Sequence, residues 1–136
     1  MRYMLDTNTL IYVLNARPHH QAVLDRFDQE DVRQLCISSI TLAELRYGIE
    51  KSQKREANRA KLRRAIDTLN VVPFESRAAD AYGTLRAALE RAGTPCGPLD
   101  MLIAAHALSL NLTLVTNNVR EFARVKSLKV ENWIPE

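Results

Sequence analysis

Short apolar segments alternate along this chain with longer segments whose apolar residues recur at helical spacing. The predicted strands are Tyr3–Leu5, Leu35–Ile37, Asn70–Phe74, Leu112–Val115 and Leu128–Val130. The predicted helices are Thr7–Leu14, His20–Phe27, Thr41–Ser52, Lys54–Leu69, Ser76–Ala92 and Pro98–Leu110. Because strands that alternate with helices form parallel sheets covered on both faces, we predict an α/β fold. Its architecture is a three-layer α/β/α sandwich around a central, mainly parallel sheet of four to five strands.

Composition favours a single domain that spans residues 1–136. A hydrophobic fraction of 46% fills a core and 26% charged residues cover it, which excludes a disordered chain. The two cysteines, Cys36 and Cys96, lack the spacing of a structural zinc site or a disulfide scaffold. No apolar run approaches the ~20 residues that span a bilayer, so we expect a cytoplasmic protein without membrane association. The net charge of +3 permits an anionic partner.

Two aspartates lie beside strongly apolar runs, where a carboxylate is costly to desolvate unless a cation pairs with it. Asp6 directly follows the first predicted strand, and Asp100 lies in the first turn of a helix that is apolar on nearly every side. Parallel sheets place their ligand sites outside the carboxyl ends of the strands. Two simpler roles remain open, since Asp6 also suits a helix N-cap and Asp100 suits the positive end of a helix dipole.

A third carboxylate, Glu44, has two interpretations. The spacing from Thr41 to Glu44 matches a capping box, in which Glu44 would bond only a backbone N–H. Glu44 also lies at the edge of the apolar stripe of its helix, where it would face a cleft. The sequence leaves both interpretations open.

The fourth predicted strand ends in the hydroxyl of Thr116 and the amides of Asn117 and Asn118. Asn118 is a candidate for orienting a water molecule or a phosphate, and Glu121 offers another carboxylate three residues later. The simpler alternative is that Asn117 or Asn118 only caps the turn that follows the strand.

Carboxylates with few nearby bases suit Mg²⁺ or Mn²⁺, which prefer oxygen ligands and keep several waters. Thr7 and Asn8 follow Asp6 directly and are candidates to support water at such an ion. A site of this kind suits phosphoryl chemistry in which water, rather than a protein side chain, attacks the phosphate. No motif in the sequence indicates an activated cysteine or serine nucleophile.

Five motifs taken together resemble those of the PIN-domain ribonucleases, and among them the VapC-type toxins of bacterial toxin–antitoxin pairs. The motifs are Met4–Asn8, Ser38–Gly48, Gly97–Ala107, Val115–Phe122 and Val130–Trp133. The resemblance covers nearly the whole chain. It implies a PIN-like fold and a metal-dependent endoribonuclease that acts as the toxin of its pair.

The same resemblance implies the site residues. The implied metal ligands are Asp6, Glu44 and Asp100, and the implied catalytic set adds Asn118 to them. In the family a fourth acid often stands two positions after the residue equivalent to Thr116. That position is Asn118 here, so Glu121 is the candidate substitute.

The resemblance also implies partners. These are a homodimer, a cognate antitoxin that blocks the site, and operator DNA that is bound only by the toxin–antitoxin complex. The motifs most resemble those of enteric members that cut initiator tRNA in its anticodon loop, which implies an RNA substrate of the tRNA class.

The segment from Lys51 to Arg64 carries seven basic residues and one acid, Glu56. Arg55, Arg59 and Arg63 are spaced so that they share one helical face, which predicts a track for RNA phosphates. A solvated face or an antitoxin contact would use the same residues.

Two other functions compete with the ribonuclease. A haloacid-dehalogenase-type phosphatase also begins with an aspartate after its first strand, but it needs a second aspartate where this chain has Asn8. A non-catalytic RNA- or protein-binding module of PIN-like fold would tolerate replacement of Asp6 or Asp100 by alanine.

Overall fold

The computed structural model describes residues 1–135 and is built on one sheet of five strands, all parallel, in the order β3-β2-β1-β4-β5. The strands are β1 (Tyr3–Leu5), β2 (Leu35–Ser38), β3 (Asn70–Val72), β4 (Thr113–Val115) and β5 (Val130–Glu131). The helices are α1 (Thr7–Leu14), α2 (His20–Gln29), α3 (Ser39–Glu50), α4 (Arg55–Thr68), α5 (Ser76–Arg91), α6 (Pro98–Ser109) and α7 (Val119–Phe122). The predicted α/β fold is confirmed, with five strands in the sheet.

Each face of the sheet has its own apolar core, because successive side chains of a strand point to opposite faces. Met4 and Cys36 pack with α5, α6 and α7 on one face. Tyr3 and Leu5 pack with α1, α2, α3 and α4 on the other. Helix α6 is buried along most of its length, as its apolar sequence predicted. Within residues 1–135, no helix has the length and apolar character that crossing a membrane requires.

Helix α3 begins two residues earlier than predicted. Ser38 is its N-cap, because the Ser38 hydroxyl accepts a hydrogen bond from the N–H of Ile40 at 3.0 Å. Thr41 therefore lies inside the helix, fully buried. The capping-box interpretation of Glu44 is wrong, since Thr41 is not the residue that precedes the helix.

Several other boundaries differ from the prediction by a few residues, and two of the differences have a local cause. Strand β3 ends at Val72 because Pro73, which follows it, has no N–H to donate to the ladder. Strand β5 comes later than predicted, since Leu128 belongs to a turn closed by its N–H bond to Val125. Helix α7 was expected only as a turn.

Strand β1 lies in the middle of the sheet, with β2 on one side and β4 on the other. The chain builds β2 and β3 outward on one side of β1 and then crosses to build β4 and β5 on the other. A parallel sheet opens a crevice where the strand order reverses in this way. This crevice lies at the carboxyl ends of β1 and β4, next to Asp6 and Thr116.

Candidate active site

Asp6 links strand β1 to helix α1 and is only 3% exposed. One carboxylate oxygen, Oδ1, accepts from the Thr9 N–H at 2.8 Å, so Asp6 is the N-cap of α1. The other oxygen, Oδ2, accepts from the Thr116 hydroxyl at 2.5 Å. Burial raises the pKa of Asp6, and the hydrogen bonds from Thr116 and Thr9 oppose that rise. Asp6 is therefore the N-cap of α1 and also lies at the carboxyl edge of the sheet.

The Thr116 hydroxyl joins Asp6 to the turn that follows strand β4. It accepts from the Asn118 N–H at 2.9 Å while it donates to Asp6. The Asn118 side-chain amide donates to Glu121 Oε2 at 2.6 Å. Asn118 occupies the N-cap position of α7 but makes no capping bond with its side chain. The amide of Asn118 therefore orients a carboxylate, and the capping alternative for its side chain is wrong.

Glu44 reaches the site from the second turn of α3. Its Oε1 accepts from the Thr7 hydroxyl at 2.7 Å, and that hydroxyl lies 3.2 Å from the hydroxyl of Thr41. Glu44 is half-buried, and it is tied to α1 rather than to the backbone of its own helix. The supporting role predicted for Thr7 is thus a contact with Glu44.

Asp100 meets Glu121 where the first turn of α6 faces helix α7. Burial raises the pKa of Asp100 to about 6, and the negative charge of Glu121 and a hydrogen bond with it add to the rise. The charges of Asp6 and Glu44 contribute in the same direction. The Gly97 N–H donates to Glu121 Oε1 at 2.8 Å, and this bond is the main reason that the pKa of Glu121 is lowered. The proton that the pair retains therefore belongs to Asp100.

Four carboxylates from separate parts of the chain thus share one site, which we call the acidic cluster. Its members are Asp6, Glu44, Asp100 and Glu121. Burial first, and then the negative charges of the other three carboxylates, raise the pKa of Asp100 to about 6. Because like charges gathered in a half-buried site need a counter-charge, the cluster has the electrostatics of a cation site.

The donor chemistry of the acidic cluster fits a hard divalent cation, since every charged group in it is a carboxylate. In residues 1–135, however, no three acidic, histidine or cysteine side chains already stand in positions that could hold one ion. The structure brings together the three predicted metal ligands, Asp6, Glu44 and Asp100, as neighbours. Their side chains would have to rotate toward an ion to bind it.

His106 is not part of the acidic cluster. Its Nδ1 lies 2.8 Å from the Ser38 hydroxyl, and its ring packs edge-on against Phe74 at a centroid distance of 5.3 Å. Burial lowers the pKa of His106. His106 is therefore a buried histidine that supports the cap of α3.

The basic face predicted on α4 is only partly available. Arg59 pairs with Glu50 of α3 at 2.6 Å and with Glu56 at 3.4 Å, so its charge is already compensated. Arg55 and Arg63 are exposed and make no ion pair within the described part of the chain. The predicted track thus contains one arginine that is already paired, Arg59, and the RNA-binding role of the three arginines stays a prediction.

Residues of α4 that were not predicted as site residues line the same groove as Glu44. Lys61 and Asn58 line a groove of about 280 Å³ together with Glu44, and the groove runs between α1, α3 and α4. The helical spacing of Lys61 from Asn58 and Leu62 was visible in the sequence. Only the packing of α4 on α3 shows that this face of α4 lines the groove beside Glu44.

Asn8, the remaining predicted residue, is exposed at the start of α1. Its side chain makes no hydrogen bond among residues 1–135, so the structure does not connect it to the carboxylates. It lines a second cavity along α1, which is also bordered by Asn118.

Comparisons of sequence agree with this arrangement. The PIN-domain family matches residues 3–128 of the chain. A protein of Salmonella typhimurium strain LT2, called tRNA(fMet)-specific endonuclease VapC, is 46% identical over 133 residues that cover 98% of both chains. Ribonuclease VapC2 of Haemophilus influenzae strain Rd is 44% identical over 134 residues, which cover 98% of this chain and 99% of that protein.

Comparisons of structure agree as well. The DNA-bound VapBC crystal structure from Salmonella typhimurium contains a chain that matches with a TM-score of 0.92 and 44% identity, over 98% of both chains. VapBC2 of Rickettsia felis, bound to a DNA fragment from its promoter, contains a chain that matches with a TM-score of 0.88 and 42% identity. That match covers 98% of this chain and 99% of the other.

Proposed function

The chain belongs to the VapC ribonucleases of the PIN-domain family, and from that premise we propose that it hydrolyses RNA at the acidic cluster. One observation supports this most directly. Four carboxylates from distant parts of the chain meet at the carboxyl ends of β1 and β4, where burial and the charges of the other three raise the pKa of Asp100. This family membership excludes the phosphatase alternative.

In this proposal Asp6, Glu44 and Asp100 hold a divalent cation, Mg²⁺ or Mn²⁺, and Glu121 is the fourth carboxylate. Such an ion would supply positive charge against the scissile phosphate and would lower the pKa of water at the site. The protein contributes orientation. Thr116 fixes Asp6, Thr7 fixes Glu44 and Asn118 fixes Glu121.

The attacking group is proposed to be water rather than a protein side chain. Burial raises the pKa of the Cys36 thiol to about 12, so its thiolate is not formed at neutral pH. Cys96 is also buried, and the pKa of its thiol is raised as well. Attack by water leaves a 5′-phosphate and a 3′-hydroxyl, whereas attack by the 2′-hydroxyl of the RNA leaves a 2′,3′-cyclic phosphate.

A cleavage assay with a labelled RNA hairpin tests the proposal. We expect cleavage that EDTA abolishes, products with 5′-phosphate ends, and a loss of about 100-fold or more in Glu44→Gln and Asp100→Asn. Glu75→Gln, which changes an exposed carboxylate on another part of the surface, is the matched control and should cleave normally. Cyclic phosphate ends or cleavage in EDTA would contradict the mechanism. If the Asp6→Ala variant kept the full biological effect of the wild-type protein, a non-catalytic binding module would be favoured instead.

We also propose that the chain is the toxin of a toxin–antitoxin pair and forms a homodimer. The relatives of known structure are VapBC complexes, two of them bound to DNA. The groove between α1, α3 and α4 is lined by apolar residues such as Leu45 and Leu62, and Glu44 lies at its border. An antitoxin segment seated there would block the acidic cluster. Operator DNA would then be bound by the complex and not by the toxin alone.

The proposed substrate is initiator tRNA in the cytoplasm, because the Salmonella relative is called a tRNA(fMet)-specific endonuclease. Cleavage of purified initiator and elongator methionine tRNAs compares two substrates of similar size and charge. Preferential cleavage of the initiator in its anticodon loop would support the assignment, and equal cleavage of both would contradict it.

A further inference from the structure

A second cavity lies beside the acidic cluster and adjoins the groove along helix α1, since Ile11 lines both. It has a volume of about 390 Å³ and is lined by Asn8, Tyr12, Arg17, Asn117, Asn118 and Ile134. This volume falls within the range of about 300–1,000 Å³ that is usual for ligand pockets. Asn118 belongs to both sites, since its amide also orients Glu121.

The charge of this cavity differs from that of its neighbour. None of the residues that line it is acidic, and Arg17 supplies a positive charge. In the described residues 1–135, the Arg17 guanidinium makes neither an ion pair nor a side-chain hydrogen bond. An anionic ligand that extends from the acidic cluster into this cavity would therefore meet the uncompensated charge of Arg17.

The backbone around Arg17 is held in a fixed shape. Its N–H donates to the Tyr12 carbonyl at 3.2 Å, and its own carbonyl accepts from the His20 N–H at 2.9 Å. The Tyr12 hydroxyl donates to the Pro18 carbonyl. Ala16 and His19, which flank this turn, have φ values of 48° and 68°. Such left-handed conformations are costly for residues other than glycine, so the loop presents Arg17 at the expense of local strain.

The opposite wall of the cavity carries amides. Asn117 is exposed, and its Oδ1 accepts from the Asn132 side chain at 3.3 Å, which leaves its NH₂ group directed elsewhere. Asn8 faces the same cavity with an amide that has no partner in residues 1–135. Free amide groups beside an aromatic ring are the groups that recognise an unpaired RNA base, through hydrogen bonds to its edge and stacking on its face.

We propose that this cavity binds one unpaired nucleotide next to the scissile bond, with Arg17 on its phosphate and Asn8 and Asn117 on its base. The inference rests on the proposed ribonuclease function and deepens it, because it assigns the residues that select the RNA sequence. A strand that enters the acidic cluster past Asn118 would meet Arg17 in this cavity, and none of the residues that line it is a carboxylate.

The experiment measures RNA binding without cleavage, so that it does not depend on catalysis. All variants are made in an Asp100→Asn background, and binding of a labelled hairpin with a single-stranded loop is followed by fluorescence anisotropy in EDTA over a series of salt concentrations. Arg17→Gln should weaken binding about tenfold and reduce the salt slope by about 0.7, the value for one phosphate contact on a single strand. The matched control is Arg91→Gln, an exposed arginine at the end of α5.

Asn117→Ala should leave the salt slope unchanged and reduce the discrimination between loops that differ at one nucleotide, because it removes base contacts and no charge. The proposal is overturned if Arg17→Gln behaves like Arg91→Gln. It is also overturned if the variants weaken capture by the cognate antitoxin while RNA binding stays at its original level, since the cavity would then belong to the protein partner. Cleavage that persists in EDTA, or no cleavage with metal present, would contradict only the proposed function, and this binding result would still be readable.

Discussion

At the scale of single residues, Asp100 shows most clearly how the acidic cluster affects the stability of the fold. Its folded-state pKa is raised to about 6 from an ordinary value near 3.8. A raised carboxyl pKa means that the folded protein binds this proton more tightly than the unfolded chain does. The group therefore favours folding below pH 3.8, and this contribution is lost as the pH rises through 6. At neutral pH the ionised Asp100 is a destabilising group.

Asp100→Asn should consequently stabilise the metal-free protein at about pH 8, by an amount on the order of 1 kcal/mol after allowance for the partial exposure of the side chain. The gain should shrink toward zero at about pH 3, below both pKa values, where Asp100 is mostly protonated in both states. Urea unfolding in EDTA at the two pH values measures the difference. Asp28→Asn, a change at an exposed carboxylate of α2, is the control and should alter stability little. A gain that is equal at both pH values would show that charge is not the cause.

At the scale of elements, helix α4 illustrates how a neighbouring helix changes what a charge pattern can do. Arg55, Arg59 and Arg63 lie on one face by spacing alone, but Glu50 at the end of α3 captures Arg59. Exposed ion pairs of this kind add little stability, although they do remove a cation from the binding surface. Arg55 and Arg63 remain as candidates to attract RNA, with Lys61 in the groove that Glu44 also lines.

The double variant Arg55→Gln/Arg63→Gln should therefore weaken RNA binding and reduce its salt slope by up to about 1.4, since fewer counterions are released. The control is Arg77→Gln/Arg91→Gln, which removes the same net charge from the exposed side of α5. Anisotropy measured between low and physiological salt gives both slopes. If the salt slope of RNA binding falls by the same amount in both double variants, RNA binding responds to net charge. Helix α4 would then not be a specific RNA-binding face.

At the scale of the whole molecule, the acidic cluster joins elements from both faces of the sheet. Asp6 directly follows the central strand, Glu44 belongs to a helix on one face of the sheet, and Asp100 belongs to a helix on the other face. A cation held by all three would connect both layers of helices. Because an ion that binds only the folded state stabilises it by mass action, metal binding and global stability are linked.

Mn²⁺ at 100 times its dissociation constant should stabilise the wild-type protein by about 2.7 kcal/mol, which appears as a rise in Tm. The rise should be much smaller in Asp100→Asn, and isothermal titration should show a weaker affinity for the same variant. Glu75→Gln should respond like the wild type. Equal affinities for wild type and Asp100→Asn would remove Asp100 from the metal site.

The sequence by itself determined the class of fold and the position of Asp6 and Asp100 at one edge of the sheet. Apolar periodicity is a local property, so it defined the strands and helices to within a few residues and implied the parallel sheet. An aspartate directly after a strand or in the first turn of a buried helix is local as well. Asp6 and Asp100 could therefore be assigned to one edge of the sheet before any contact was known.

Only the tertiary structure decided how these residues interact. Glu44 is held by Thr7, Asp100 shares its proton with Glu121, and Arg59 is neutralised by Glu50. Each of these contacts joins residues on different elements, and spacing along the chain carries no information about the distance between them. The cavity that contains Arg17 exists for the same reason, because helix α1 and the turn after β4 form its walls only when β1 and β4 lie side by side.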